Sequence, residues 1–217
     1  MNGANSSNLY YSCWNRLSCL DTELDFPNVV ADSVKTLSAN ENAVAHSSIR
    51  ALILRTLIRS VEPTTDVFEG LDSVTRRLLI DSVISTSENT IVAEYQSMIS
   101  LLPPQGESVS ELSMWGETLL NPAYLDAVQT LGKPCGDPGN FQSSLLAIVT
   151  VKSYAEGIRR NIVGGGCNCS RANFVGACLG AAYGIGETNG IPLEWLERTD
   201  KGLVIFELAL RLFVPAI

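Results

Sequence analysis

The sequence predicts an all-α protein folded as a compact orthogonal multi-helix bundle rather than a long coiled coil. Apolar residues recur at helical spacing along most of the chain, and no strand-like alternation or fixed-period repeat interrupts them. The chain has 217 residues, of which 46% are hydrophobic and 18% charged, enough apolar material for one sizeable core. We therefore expect a single domain over residues 1–217, with the polar residues 1–8 disordered.

The first half of the chain contains four predicted helices. They cover about 27–39, from Asn42 to Pro63, 73–83 and 88–102. Pro27 suits a first helical position, and Asn42 and Ser73 are the expected N-caps of the second and third helices. The pair Pro103-Pro104 ends the fourth, because proline cannot continue a helix. The second of these helices has the strongest apolar periodicity in the sequence.

The second half of the chain predicts shorter helices separated by glycine and proline. The expected segments are two pieces within 107–132 broken at Asn121-Pro122, a loop over 133–139, helices over 141–149 and 154–163, a small-residue helix from Arg171, a short helix opened by Pro192 and a last helix over 203–212. Ser153 is the expected N-cap of the 154–163 helix. The whole pattern is typical of a bundle with short connections.

Composition excludes some partners. The formal charge of −8 and a pI near 4.7 leave no basic surface for nucleic acid, so none is expected as a partner. No apolar run reaches bilayer length, and the N-terminus lacks the basic and apolar regions of a secretion signal. Six cysteines scattered through a chain of this size favour free thiols. We expect no membrane partner and a cytoplasmic location.

The glycine run before the small-residue helix is the strongest candidate for a binding site. Gly164, Gly165 and Gly166 predict a sharp turn with open main-chain amides, and Ser170 is the expected N-cap of the next helix. Such a turn can hold an anion at the positive end of a helix dipole. The alternative is a tight loop followed by a close-packed helix with no ligand. The small residues that favour close packing are Ala172, Gly176, Ala177, Gly180 and Ala181.

Other chemistry-bearing residues have both a functional and a structural interpretation. His46, the only histidine, is either a catalytic base or a partly exposed, satisfied side chain. Cys167 and Cys169 form a Cys-x-Cys pair, but Cys135 and Cys178 make an unconvincing second pair for zinc. The loop carboxylates Asp137 and Glu187 are either general bases or, as we expect, turn formers and solvated charges.

Several segments of the chain together form a recognisable signature. Residues 165–181 read Gly-Gly-Cys-Asn-Cys-Ser-Arg-Ala-Asn-Phe-Val-Gly-Ala-Cys-Leu-Gly-Ala, and 190–196 read Gly-Ile-Pro-Leu-Glu-Trp-Leu. Upstream, 136–145 read Gly-Asp-Pro-Gly-Asn-Phe-Gln-Ser-Ser-Leu and 153–162 read Ser-Tyr-Ala-Glu-Gly-Ile-Arg-Arg-Asn-Ile. These segments resemble the ADP-ribosylglycohydrolase family, in particular its J-crystallin branch, and weaker similarity covers 40–50. The resemblance implies an all-α fold and, in active members, two magnesium ions that assist hydrolysis of ADP-ribosyl links.

The resemblance also predicts an altered metal site. The usual family signature at this turn is Gly-Gly-Asp-Thr-Asp-Thr, whose aspartates bind metal; here Cys167 and Cys169 occupy the aspartate positions, and Asn168 and Ser170 those of the threonines. Because magnesium prefers oxygen ligands, we expect no bound cofactor and impaired hydrolysis. Weak ADP-ribose or anion binding would use Gly164, Gly165, Gly166, Asn168, Ser170 and Asn173.

Two alternatives remain beside this interpretation: a structural or interaction protein of J-crystallin type with no ligand, and a working hydrolase with metal ligands from elsewhere. Residues 1–40 lack the family's N-terminal metal-ligand motifs, so the chain resembles only the C-terminal part of the family fold. We therefore expect exposed apolar surface and self-association.

Overall fold

The computed structural model describes residues 26–60, 71, 73–102, 122–186 and 189–213. Within these ranges the chain forms ten helices: α1 Phe26–Lys35, α2 Glu41–Ser60, α3 Ser73–Ile84, α4 Asn89–Ile99, α5 Pro122–Leu131, α6 Gly139–Val149, α7 Tyr154–Val163, α8 Asn168–Tyr183, α9 Leu193–Arg198 and α10 Gly202–Phe213. The β-type backbone pairing in these ranges consists of one isolated bridge, between Ile185 and Ile191. The predicted all-α class is confirmed.

Helices α6 and α8 lie at the centre of the bundle. α8 packs against α2, α6 and α7, while α6 also contacts α3, α4 and α5. Every residue of α6 is buried, which explains why its sequence, Gly-Asn-Phe-Gln-Ser-Ser-Leu-Leu-Ala-Ile-Val, has no charged face. Apolar side chains from α1 to α8 join in one core. By contrast, α9 contains no buried residue.

Helices α7 and α8 approach each other closely at Gly157. A Cβ atom at this position would lie 2.1 Å from Leu179 Cδ1, so only glycine fits without rearrangement. On α8, Gly176 and Gly180 face Tyr154 and Ile191 with ordinary van der Waals room, at 3.4 and 3.5 Å from a built Cβ. The predicted close approach of the small-residue helix α8 to a neighbour is therefore present. It depends more on Gly157 of α7 than on the small residues of α8.

The helix starts agree with the sequence in one case and differ in another. Ser153 caps α7 as predicted, since its hydroxyl accepts a hydrogen bond from the Glu156 amide at 3.2 Å. The predicted cap Asn42 is wrong, because Asn40 Oδ1 accepts from the amides of Asn42 and Ala43 at 2.9 and 3.3 Å. Asn40 is the N-cap because α2 already begins at Glu41, the next residue.

Some predictions fall outside the described residues. These concern the disorder of 1–8, the first helical piece of 107–132 up to residue 121, and the carboxylate of Glu187. No helix within the described part of the chain combines the length and the apolar character that a membrane span requires.

Candidate functional site

The predicted sharp turn joins α7 to α8. Gly164 ends α7 in a right-handed conformation with φ −56°, and Gly165 and Gly166 then adopt φ values of +71° and +66°. Only glycine takes these left-handed angles without penalty, which explains the run of three at this point. The chain thereby reverses direction and starts α8 at Asn168.

The amides of this turn are not open. Four of them donate to backbone carbonyls: Gly164 to Arg160 at 3.0 Å, Gly165 to Ile162 at 3.1 Å, Cys167 to Lys133 at 2.9 Å and Asn168 to Gly166 at 2.9 Å. The expectation of an open anion cradle is therefore wrong at these positions. The cause is that the amides of Gly164 and Gly165 donate to carbonyls at the end of α7, and the Cys167 amide donates to a carbonyl of a neighbouring loop.

Ser170 does not cap α8. The residue that precedes the helix is Cys167, and Ser170 already lies inside the first turn, where it is buried. Its hydroxyl lies 3.0 Å from Cys167 Sγ. The helix starts three residues earlier than the serine suggested, because the left-handed Gly165 and Gly166 end the turn before Cys167.

The loop over residues 133–138 packs directly onto the turn. The carbonyl of Lys133 accepts hydrogen bonds from the Cys167 amide at 2.9 Å and from Arg171 Nη1 at 3.3 Å. A Cβ atom on Gly166 would lie 2.4 Å from that same oxygen. This packing brings Cys135, which the sequence did not connect to the turn, next to Cys167.

Cysteine thiols form a cluster at the first turn of α8. Interaction with the Cys167 thiol raises the pKa of Cys135. Interactions with the Cys135 thiol and with the Ser170 hydroxyl lower the pKa of Cys167 to about 7. Cys135 and Cys169 are exposed and Cys167 is half-buried, whereas Cys178 is buried in the core. All four are free thiols, as predicted; Cys13 and Cys19 lie outside the described residues.

The donor set at this turn does not fit magnesium. Sulfur occupies both positions of the Cys-x-Cys pair, and the described residues contain no group of three or more His, Cys, Asp or Glu side chains placed to hold a metal ion. Magnesium requires carboxylate or water oxygen in near-octahedral geometry. The chemistry that this turn offers is that of thiols.

A shallow groove of about 350 Å³ lies beside the turn. It brings together three of the predicted site residues, Gly166, Asn168 and Cys169, and its other lining residues are Ile158, Asn161, Ile162 and Ala172. Gly164, Gly165, Ser170 and Asn173 are not among these, and Gly164 and Ser170 are buried. The groove is small for a ligand pocket, a class that spans about 300–1,000 Å³.

The polar side chains of the groove are used within the protein. Asn161 donates to the Asn168 carbonyl at 3.0 Å and accepts from Arg171 Nε at 3.0 Å. Asn168 Nδ2 donates to the Ile162 carbonyl at 3.3 Å. The Arg171 guanidinium is buried and bonds the carbonyls of Lys133 and Gly165. The groove lining therefore offers no cationic side chain to a diphosphate.

A larger cleft of about 820 Å³ lies between α1, α2 and the α3–α4 connection. Sequence reasoning did not predict it. Its lining includes Pro27, Ala31, Ser48, Leu52 and Ile91, together with the charged Lys35, Glu41 and Glu88. This mixed lining does not single out one ligand chemistry.

His46 is buried rather than partly exposed, with 4% of its surface accessible. Its Nδ1 lies 2.8 Å from the Asn42 carbonyl and its Nε2 lies 2.7 Å from Glu94 Oε2. Both ring nitrogens are therefore engaged inside the bundle. The interpretation of His46 as a satisfied side chain agrees with these contacts, and the expected exposure was wrong.

Asp137 lies in the turn before α6, as expected, but its carboxylate is not a solvated charge, since 9% of the side chain is accessible. Its carboxylate forms a bidentate ion pair with Arg50, at 3.2 Å from Nη1 and 2.6 Å from Nη2, and Nη2 also donates to Asn140 Oδ1 at 3.0 Å. The Arg50 guanidinium lies over the rings of Phe141 and Phe174. Arg50 lies four residues after His46 and four before Leu54, so the three residues share one helix face. This spacing is the sequence signal that could have revealed the pair.

Comparison with known proteins identifies the fold. The profile of the ADP-ribosylglycohydrolase family matches residues 25–216. The chain belongs to this family. Crystallin J1A of Tripedalia cystophora is 43% identical to it over 84 residues, which are 39% of this chain and 25% of the crystallin. The matched stretch thus spans a quarter of the length of that curated relative. No solved structure matches the chain significantly.

Membership of the ADP-ribosylglycohydrolase family confirms the resemblance itself. That Cys167 and Cys169 stand at the carboxylate positions of the family signature stays a prediction. Around them the structure adds Cys135 and Ser170, so the turn of this family member carries a connected group of thiol and hydroxyl side chains.

Proposed function

We propose that this ADP-ribosylglycohydrolase family member does not carry out magnesium-dependent hydrolysis of ADP-ribosyl links. One observation supports the proposal: the turn that resembles the family signature has cysteine at positions 167 and 169, and the Cys167 Sγ lies 3.0 Å from the Ser170 hydroxyl. The carboxylate in the adjacent loop, Asp137, is paired with Arg50. Magnesium binding would require breaking this ion pair or recruiting oxygen ligands from another source.

The proposal includes weak, magnesium-independent binding of ADP-ribose or a related anion. The groove beside Gly166, Asn168 and Cys169 supports it, because it provides a concave surface at the positive end of the α8 dipole. The engaged amides and the lack of a cationic lining residue argue for low affinity. Free thiols at the four described cysteines suit a reducing compartment, so we place the protein in the cytoplasm.

Calorimetric titration with ADP-ribose, with and without magnesium chloride, tests this proposal. We expect weak heat that is the same under both conditions, and no release of ADP-ribose from an ADP-ribosylated protein substrate. A variant with Cys167→Asp and Cys169→Asp restores the carboxylates of the family signature and serves as the matched comparison. Binding or hydrolysis by the unmodified chain that depends on magnesium would refute the proposal.

A second candidate function is that of a structural protein that associates with itself. The exposed aliphatic side chains of α10 favour it: Leu203, Val204, Ile205 and Leu208 each have between 53% and 66% of their surface accessible. Val204, Ile205 and Leu208 share one helix face, at spacings of one, three and four residues. The occupant we propose is a second copy of this chain, because an aliphatic face of this kind can pack on itself about a twofold axis.

Light scattering during gel filtration tests self-association. We expect a dimer mass for the unmodified chain and a monomer mass for a variant with Val204→Glu and Leu208→Glu. Val74→Glu on α3 is the control, because Val74 is similarly exposed, at 66%, but lies on another helix. A monomer mass for the unmodified chain at high concentration, or equal dissociation by Val74→Glu, would exclude α10 as the interface.

A further inference from the structure

The thiol cluster points to a function beyond the proposed loss of hydrolysis. Cys135 lies in the loop between α5 and α6, and Cys167 lies immediately before α8, so the two residues are far apart in sequence. The fold nevertheless brings the two segments together, because the Cys167 amide donates to the Lys133 carbonyl at 2.9 Å, and the two thiols interact electrostatically. We propose that Cys135 and Cys167 form a reversible disulfide when the protein meets a peroxide, with Cys167 as the oxidised thiol and Cys135 as the resolving thiol.

The surroundings of Cys167 favour it as the thiol that is oxidised first. Its Sγ lies 3.0 Å from the Ser170 hydroxyl and at the positive end of the 16-residue helix α8. The buried Arg171 guanidinium interacts electrostatically with this thiol and with Cys135. Interactions with the Cys135 thiol and the Ser170 hydroxyl lower the pKa of Cys167 to about 7, so much of it is thiolate at neutral pH.

Cys135 is suited to be the resolving thiol because its loop is held against the turn. Lys133 lies two residues before Cys135 in the chain, and its carbonyl accepts a hydrogen bond from the Cys167 amide at 2.9 Å. Cys135 is exposed, so it can turn toward Cys167 without leaving a packed site. Its interaction with Cys167 raises its own pKa, so that Cys167 is the more acidic of the two thiols.

Cys169 is the competing partner, and its position argues against it. It lies on the groove side of α8 with Ile158, Asn161 and Ala172. It is already part of the helix, two residues after Cys167, and side chains at this spacing on a helix do not face each other. It contributes less to the low pKa of Cys167 than Cys135 and Ser170 do.

The chemical steps balance with hydrogen peroxide as the oxidant. The Cys167 thiolate attacks one peroxide oxygen; an S–O bond forms, the O–O bond breaks, and hydroxide leaves and is protonated to water. The Cys135 sulfur then attacks the sulfenic sulfur of Cys167. The S–S bond forms, the S–O bond breaks, and the departing hydroxide takes the Cys135 proton as a second water. Two thiols are oxidised and one peroxide is reduced; a small dithiol reverses the reaction by exchange.

Mass spectrometry of the full chain tests this proposal. Cys13 and Cys19 are replaced by serine to simplify the thiol count, since both lie outside the described residues. After one equivalent of hydrogen peroxide and alkylation, we expect two fewer alkylated cysteines and a Cys135–Cys167 cross-linked peptide that a dithiol abolishes. A Cys167–Cys169 link, or no internal disulfide in the folded chain, would overturn the proposal.

Single substitutions assign the two roles. With Cys135→Ser we expect no disulfide but a sulfenic acid at Cys167 that dimedone traps. With Cys167→Ser we expect the initial rate of thiol loss to peroxide to fall at least tenfold. Cys169→Ser is the matched control and should keep both the disulfide and its rate. Circular dichroism confirms that each variant is folded; unchanged disulfide formation in folded Cys135→Ser would contradict the assignment.

Discussion

The contact between the glycine turn and the 133–138 loop can be tested by adding one methyl group at each of two adjacent glycines. Gly165 and Gly166 have nearly the same φ, so alanine at either position incurs the same left-handed strain of about 1–2 kcal/mol. A Cβ on Gly165 meets nothing within 4 Å. A Cβ on Gly166 would lie 2.4 Å from both the Cβ and the carbonyl oxygen of Lys133.

The cost of Gly166→Ala should therefore exceed that of Gly165→Ala. Displacing the Lys133 backbone adds an overpacking cost of about 1–3 kcal/mol. It also weakens the hydrogen bond from the Cys167 amide, which is worth about 1 kcal/mol. We expect Gly166→Ala to lower the free energy of unfolding by about 2–4 kcal/mol more than Gly165→Ala does. Effects of alanine on the unfolded chain are the same at both positions and cancel.

Urea denaturation at 25 °C, followed by circular dichroism, measures this difference. Equal m-values for the two variants are the control, because the comparison requires the same change in exposed surface. If the two alanine variants are equally stable, or if Gly165→Ala is the less stable one, the loop does not pack on the turn as described. The proposed Cys135–Cys167 contact would then lose its structural basis.

Three further predictions concern the caps, the buried ion pair and a buried tyrosine. Asn40→Ala should lower the free energy of unfolding by about 1 kcal/mol, whereas Asn42→Ala, the residue that the sequence suggested, should change it little in the same urea assay. Arg50→Met should cost about 3–5 kcal/mol by leaving the Asp137 carboxylate unpaired, and adding Asp137→Leu should recover part of this loss in a double-mutant cycle. Burial raises the pKa of Tyr124 from 10.0 to about 12, so its stabilising contribution is complete below pH 10 and is lost as pH rises toward 12. Tyr124→Phe should therefore make the stability decline less steeply between these pH values; an identical decline in both proteins would contradict the assignment.

The helices could be predicted from sequence because their signals are local. Ser153 caps α7 as expected, and the apolar run after Pro138 forms the fully buried α6. The cap of α2 was misplaced by two residues, because both Asn40 and Asn42 carry suitable side chains and only the backbone conformation decides between them. Local signals thus established which helices form, but not every residue at which they begin.

The site was only partly predictable because its decisive contacts join distant parts of the chain. The resemblance to the family signature located the turn and predicts that Cys167 and Cys169 replace its carboxylates. It did not indicate that Lys133 would take the Cys167 amide, or that Asp137 would pair with Arg50, 87 positions earlier in the sequence. Such pairings depend on how α2, α6 and α8 pack together, which periodicity within one segment does not specify.

The two attachments of the 133–138 loop give it unusual rigidity for a connection at the protein surface. To separate from the body, this segment must lose the Lys133–Cys167 backbone bond at one end and the buried Arg50–Asp137 pair at the other. The amide proton of Cys167, which is donated to the Lys133 carbonyl of this loop, should therefore exchange with deuterium as slowly as those of the interior helices. The loop is in this respect an extension of the folded interior.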